Sequence, residues 1–142
     1  MTAPHILTIT VVLDSLSEIR YFIEESARSL GASASAISDM RTAVDEAVSN
    51  VCIHGYGGKG GYLEIEVECQ EVDLIVRLRD KAVTFDPTDL PVPTLHYKLE
   101  EPLPGGLGVY LIRRAVDEMR HRSIVGGGNE LILVKRGVLG SR

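Results

Sequence analysis

Between Tyr62 and Cys69 the chain alternates strictly. Leu63, Ile65, Val67 and Cys69 fall on one phase, and Glu64, Glu66 and Glu68 on the other. A period of two sends successive side chains to opposite faces of a strand, so this stretch has one apolar face and one wet face. Leu74, Val76 and Leu78 repeat the pattern, with Arg77 and Arg79 outward. A hairpin through residues 70–73 places Glu66 and Glu64 opposite Arg77 and Arg79, pairs that fix register more than they stabilise. A sheet that is apolar on one side must be covered there, and the cover has to come from the rest of the chain.

Three stretches carry helical spacing. Leu16, Ile19, Ile23, Ala27 and Leu30 form one stripe, with Ser15 and Glu18 in capping-box positions and Gly31 as the stop. Ile37, Met40, Val44, Ala47, Val48 and Val51 form the second, running into His54-Gly55-Tyr56-Gly57-Gly58. Val109, Ile112, Val116 and Met119 form the third, closing in Arg120-His121-Arg122. His5 to Leu13 alternates as a first strand, and Glu130 to Lys135 as a last one. A further short strand near Ser123 to Val125 is left open. Between Lys81 and Pro104 all periodicity is lost, and five of the six prolines gather there. Such a stretch reads as a mobile lid of about residues 81–108. The order β-α-α-β-β-lid-α-β predicts an α/β (α+β) two-layer sandwich: a mixed, mainly antiparallel sheet covered on one face by three helices.

The 142 residues suit a single domain, 1–142. With 44% hydrophobic and 25% charged residues the chain is not of disordered composition, and a net charge of −5 argues against a nucleic-acid binder. No apolar run is long enough for a membrane span, the N-terminal stretch lacks a basic n-region, and a cytoplasmic location is expected. Cys52 and Cys69 have no zinc or redox spacing and read as buried thiols.

Chemistry points to the second helix. Thr42, Glu46, Ser49 and Asn50 lie opposite its apolar stripe, with Glu46 and Asn50 one turn apart. Ser49 and Asn50 are mediocre helix formers, poorly suited to a plain solvated face. Asp80 ends a strand and is followed by Phe85-Asp86-Pro87. Gly105-Gly106-Leu107-Gly108 then opens the third helix, where backbone N–H groups would receive phosphate. Gly57 to Gly61 lacks the Lys-Ser/Thr ending of a P-loop, and Gly106-Leu107-Gly108 follows no strand, so neither is a Walker or Rossmann fingerprint. His54 reads as a helix-dipole partner, and Tyr56 and Tyr110 as core or lid supports. His5, His96 and His121 show no metal spacing.

Glu46-Ala-Val-x-Asn50-x-x-x-His54-x-Tyr56 resembles the N box of the GHKL (Bergerat-fold) ATPases, in the variant of the anti-sigma-factor serine kinases. Asp80 and the Gly-Gly-Leu-Gly-Val-Tyr-Leu-Ile-Arg-Arg run resemble the G1 and G2 boxes. The resemblance extends from Asp45 to Arg136 and implies the Bergerat ATP-binding fold, with ATP and Mg²⁺ as cofactors. It implies Asn50 as the metal ligand, Glu46 as the general base and Asp80 as acceptor of the adenine amino group. It further implies Ser49, Ala82, Phe85, Gly105, Gly106, Leu107, Gly108 and Val109 as the remaining nucleotide contacts. The implied partner is an anti-anti-sigma (STAS-type) protein phosphorylated on serine. A sequestered sigma factor and a homodimer complete the pattern. Three departures stand out: Ala82 where the G1 box has its first glycine, Pro102-Leu103-Pro104 where many relatives carry an arginine, and Asn129 where Gly-Thr often precedes the last strand. Ala82 predicts strain if the site needs positive φ, or crowding if the base lies close. Two alternatives are a nucleotide-gated binding module without kinase activity and a detached histidine-kinase ATPase domain. The latter is disfavoured by the His-x-Tyr ending.

Overall fold

A computed structural model describes residues 3–82 and 106–139. Strand β1 (His5–Val11) passes through a 3-10 turn at Leu13–Ser15 into helix α1 (Leu16–Ser29). Helix α2 (Ala34–Asn50) follows and loosens into a π turn at Val51–Gly55. Strands β2 (Gly61–Gln70) and β3 (Asp73–Asp80) form the hairpin. Helix α3 (Gly106–Ala115), β4 (Glu118–Ser123) and β5 (Asn129–Lys135) complete the described chain. Among the described residues the sheet has five strands in the order β1-β2-β3-β5-β4, and its four pairings are all antiparallel.

The apolar phases meet as the alternation requires. Leu63, Ile65 and Val67 of β2, Leu74, Val76 and Leu78 of β3, and Leu133 of β5 are buried against Ile19 and Ile23 of α1, Met40, Val44 and Val48 of α2, and Ile112 of α3. Burying such side chains is worth roughly 1.5–3 kcal/mol each, so this layer contact dominates the stability. The hairpin register pairs Glu64 with Arg79 and Glu66 with Arg77, as the sequence predicts. On the wet face Arg77 bridges Glu66 and Glu68, both at 2.8 Å, and Arg79 reaches Glu64 at 2.5 Å and Glu130 at 2.6 Å.

Four local expectations are corrected. Ser15 makes no capping bond to α1; its hydroxyl instead accepts from the Val12 N–H at 3.1 Å and closes the 3-10 turn. That turn carries Leu13 off the strand phase and leaves it exposed. Cys52 is buried, but Cys69, next to the turn that joins β2 to β3, is only half-buried. The third helix stops at Ala115, and the stretch containing Met119, Arg120, His121 and Arg122 is the edge strand β4. The Asp117 N–H already bonds the Val134 carbonyl at 2.8 Å, and positive-φ glycines 126–128 turn the chain back into β5. Pairing β5's outer backbone groups outweighs one more turn of helix.

Candidate functional site

α2 and its π turn, the end of β3, α3, and the near ends of β4 and β5 line a partly open pocket, whose empty space of about 440 Å³ includes open solvent. Its lining is mostly apolar, through Ala47, Val51, Ala82, Ile112 and Leu131, with Asn50, Asp80, His121 and Asn129 as polar groups. Such a lining suits a flat, partly apolar ligand oriented by a few polar contacts.

Asp80 sits at the end of β3 and is only 6% exposed. Its Oδ1 accepts from the Ala82 N–H at 2.9 Å and from Asn129 Nδ2 at 2.9 Å. β3 and β5 place Asp80 directly opposite Asn129. Gly128 makes this approach feasible: it has φ +106, and a Cβ there would collide with the Asp80 carbonyl. On the other side, the Tyr56 hydroxyl donates to the Tyr62 carbonyl at 2.6 Å and accepts from the Lys81 N–H at 2.8 Å. Burial, above all, pushes the Tyr56 phenol up from its ordinary value. Tyr56 therefore ties the end of the π turn to both strands of the hairpin, the supporting part its sequence position suggests.

Ala82 shows no left-handed backbone; among the described residues only Glu71 combines a side chain with positive φ. The expected strain is thus absent, and the cost is spatial. The Ala82 methyl is 7% exposed and fills the space over Gly55, where a Cβ would stand 2.8 Å from it.

Glu46, Ser49 and Asn50 are half-buried on α2. The first turn of α3 lies against Glu46 and Asn50: a Cβ at Gly108 would stand 3.0 Å from Glu46 Oε2 and 3.6 Å from Asn50 Oδ1. α3 has no acidic residue in its first turn and carries Arg113 and Arg114 in its last, so its positive end faces this carboxylate and amide. Val109 is buried in the same turn, and Gly106 and Leu107 begin it. Phe85 and Gly105, with the bulk of the expected lid, lie outside the described residues. Among the described residues no group of three or more His, Cys, Asp or Glu is placed to hold a metal ion. No described helix is long and apolar enough to cross a membrane.

A family model described as the histidine kinase-like ATPase domain matches residues 9–135. The chain belongs to that family. As an ATPase domain of this kind it is 30% identical over 99 residues to the anti-sigma F factor of Clostridium kluyveri, covering 70% of each chain. It is 30% identical over 101 residues to the anti-sigma F factor of Clostridium novyi, covering 70% of this chain and 71% of that one. The serine-protein kinase RsbW of Bacillus thuringiensis is 31% identical over 106 residues, which is 72% of this chain and 66% of the relative. Among solved structures, the RsbU and RsbW domains of a Mycobacterium tuberculosis protein superpose with a TM-score of 0.65 at 20% identity. That match covers 99% of this chain and 34% of the other, so the chain spans about a third of that protein's length. The mycobacterial sensor histidine kinase MprB gives a TM-score of 0.53 at 14% identity over 97% of this chain. These two likenesses speak for the fold, which is the two-layer ATPase fold that the motifs imply, and the relatives at about 30% identity are anti-sigma F factors and a serine-protein kinase.

His121 is the pocket residue that sequence reasoning passed over. Read as the end of a helix it has no reason to meet the site. On β4 it lines the pocket and places Nε2 2.8 Å from Asn129 Oδ1. An alternation test on Met119, His121 and Ser123 would have been the signal.

Proposed function

We propose that this ATPase domain binds Mg-ATP and transfers its γ-phosphoryl group to a serine of an anti-anti-sigma (STAS-type) protein, and that it sequesters a sigma factor as a homodimer. The observation that carries the reading is the close approach of Glu46 and Asn50 to Gly108 in the first turn of α3. A helix N-terminus is a ready site for phosphate, and a glycine there lets the backbone come close.

Adenine would enter the pocket beneath Asp80, whose carboxylate would accept its amino hydrogens; a guanine carbonyl would face the same oxygen and be repelled. Magnesium suits the oxygen donors at hand: the Asn50 carbonyl oxygen is a hard ligand, and phosphates with water would complete the set. The bound ion would neutralise phosphate charge. Glu46 would take the proton from the serine hydroxyl as its oxygen attacks the γ-phosphorus, with ADP leaving on the opposite side. Gly106, Leu107, Gly108 and Val109 would supply the N–H groups of the phosphate-binding turn, with Ser49 as a further nucleotide contact.

A second reading, a nucleotide-gated module that sequesters a partner without phosphorylating it, is favoured by Ala82, whose methyl takes up room in the pocket. The deciding experiment incubates the protein with γ-labelled ATP, magnesium and a candidate anti-anti-sigma protein, beside calorimetry of ATP binding. Label on a partner serine is the expected result. ATP binding with no transfer to any cognate partner would replace the kinase with the sequestering module.

A further inference from the structure

We propose that His121, acting through Asn129, is a positioning residue that holds the Asp80 carboxylate in one orientation and so sets the base selectivity of the pocket. The inference rests on the adenine reading of Asp80 given above.

Three strands build the arrangement. Asp80 on β3 is directly opposite Asn129 on β5, and His121 on β4 is opposite Leu131, diagonal to Asn129 on the same face. Asn129 is 6% exposed, so its amide must satisfy both ends inside the protein. Nδ2 stands 2.9 Å from Asp80 Oδ1 and 3.5 Å from the Ala82 carbonyl, both acceptors. Turning the amide over would press its own oxygen against the carboxylate. The amide orientation is therefore fixed, and Asn129 Oδ1 points at His121 Nε2, 2.8 Å away. An oxygen accepts there only if Nε2 carries the proton, so the ring must be an Nε2–H tautomer or an imidazolium.

The consequence for a ligand follows from the carboxylate. Oδ1 is occupied by the Ala82 N–H and Asn129 Nδ2, which leaves Oδ2 as the oxygen to meet a base. A carboxylate held in this way presents a fixed acceptor and rejects a base carbonyl. Without the bond from His121 the amide keeps its orientation but loses the restraint at its other end, and a carboxylate held by a looser amide would discriminate less. Asp80, Asn129 and His121 all line the pocket, so the relay ends where the base would sit.

The test compares ATP with inosine triphosphate, which replaces the adenine amino group with a carbonyl. His121→Phe keeps a flat ring and loses the donor; His121→Gln restores an N–H at about the Nε2 position. In calorimetry, the preference for ATP should fall roughly tenfold or more in His121→Phe and return to within about threefold of wild type in His121→Gln. A merely structural role would weaken both nucleotides alike, and an unchanged preference in His121→Phe, or failure of His121→Gln to recover it, overturns the proposal. Nitrogen-15 NMR of the nucleotide-free wild type tests the relay by itself: a proton on Nε2 is expected, and an Nδ1–H tautomer overturns it. If the wild type bound neither nucleotide, the adenine reading and the selectivity role would fall together, while the tautomer would still show whether the relay exists.

Discussion

At the scale of single residues, the site depends on where side chains are missing. Ala82 and Gly55 share one volume, since a second methyl at position 55 would stand 2.8 Å from the first. Gly55→Ala should destabilise the fold by about 1–3 kcal/mol through overpacking, and adding Ala82→Gly should recover most of that loss. Denaturant melts of the two single variants and the double test this; simple additivity would show that the two positions do not share space. Gly108→Ala separates stability from function. Alanine favours the helix by about 1 kcal/mol, yet its methyl would crowd Glu46 Oε2 at 3.0 Å. The melting temperature should hold or rise while ATP affinity drops, and unchanged affinity would move the phosphates away from this turn. Asp80→Asn is subtler. Its amide oxygen can take over the Ala82 and Asn129 hydrogen bonds, leaving an amide donor toward the ligand. ATP should weaken relative to inosine triphosphate with the melt near wild type.

At the scale of elements, the wet face of the sheet holds a row of charges, Glu64, Arg79, Glu130 and Arg122, one from each of β2, β3, β5 and β4. Glu130 is 2% exposed. Burial pushes its carboxyl up, but the hydrogen bonds and charges of Arg79 and Arg122 outweigh this and hold it below the usual carboxylate range. A lowered folded pKa gives stability that is present above the unfolded value, near 4.3, and lost as pH falls through the folded one. Glu130→Gln should cost about 1–3 kcal/mol at pH 7, and its gap to wild type should narrow in melts below about pH 4; a gap constant down to pH 3 would contradict this. The hairpin in this row was legible because alternating Glu and Arg fix both faces and register. β4 was not, because Val116 and Met119 fit a three-residue step and Glu-Met-Arg-His-Arg-Ser contains no β-branched residue. With β4 hidden, His121 was hidden too. The Glu46 and Asn50 face was legible from spacing, whereas the packing of Ala82 on Gly55 joins positions 27 residues apart and leaves no local signal.

At the scale of the whole molecule, α2 links the core to the site: its apolar stripe is buried on the sheet, and its opposite edge meets the first turn of α3. A ligand joining α2, β3 and α3 should stabilise the domain as a unit. At a hundredfold excess over Kd, Mg-ATP should add about 2.7 kcal/mol, a rise in Tm of about 5–10 °C. Asn50→Ala should abolish that magnesium-dependent rise. The central claim is that Glu46 acts in phosphoryl transfer and not merely in binding. Glu46→Gln keeps the size and hydrogen bonding of the side chain but cannot accept the proton. The most direct measurement is single-turnover transfer from γ-labelled ATP to the partner serine by this variant, beside its ATP affinity. Affinity should stay within about threefold of wild type while the transfer rate falls by about 10²–10⁴. Transfer at the wild-type rate, with any loss confined to ATP binding, would contradict the account.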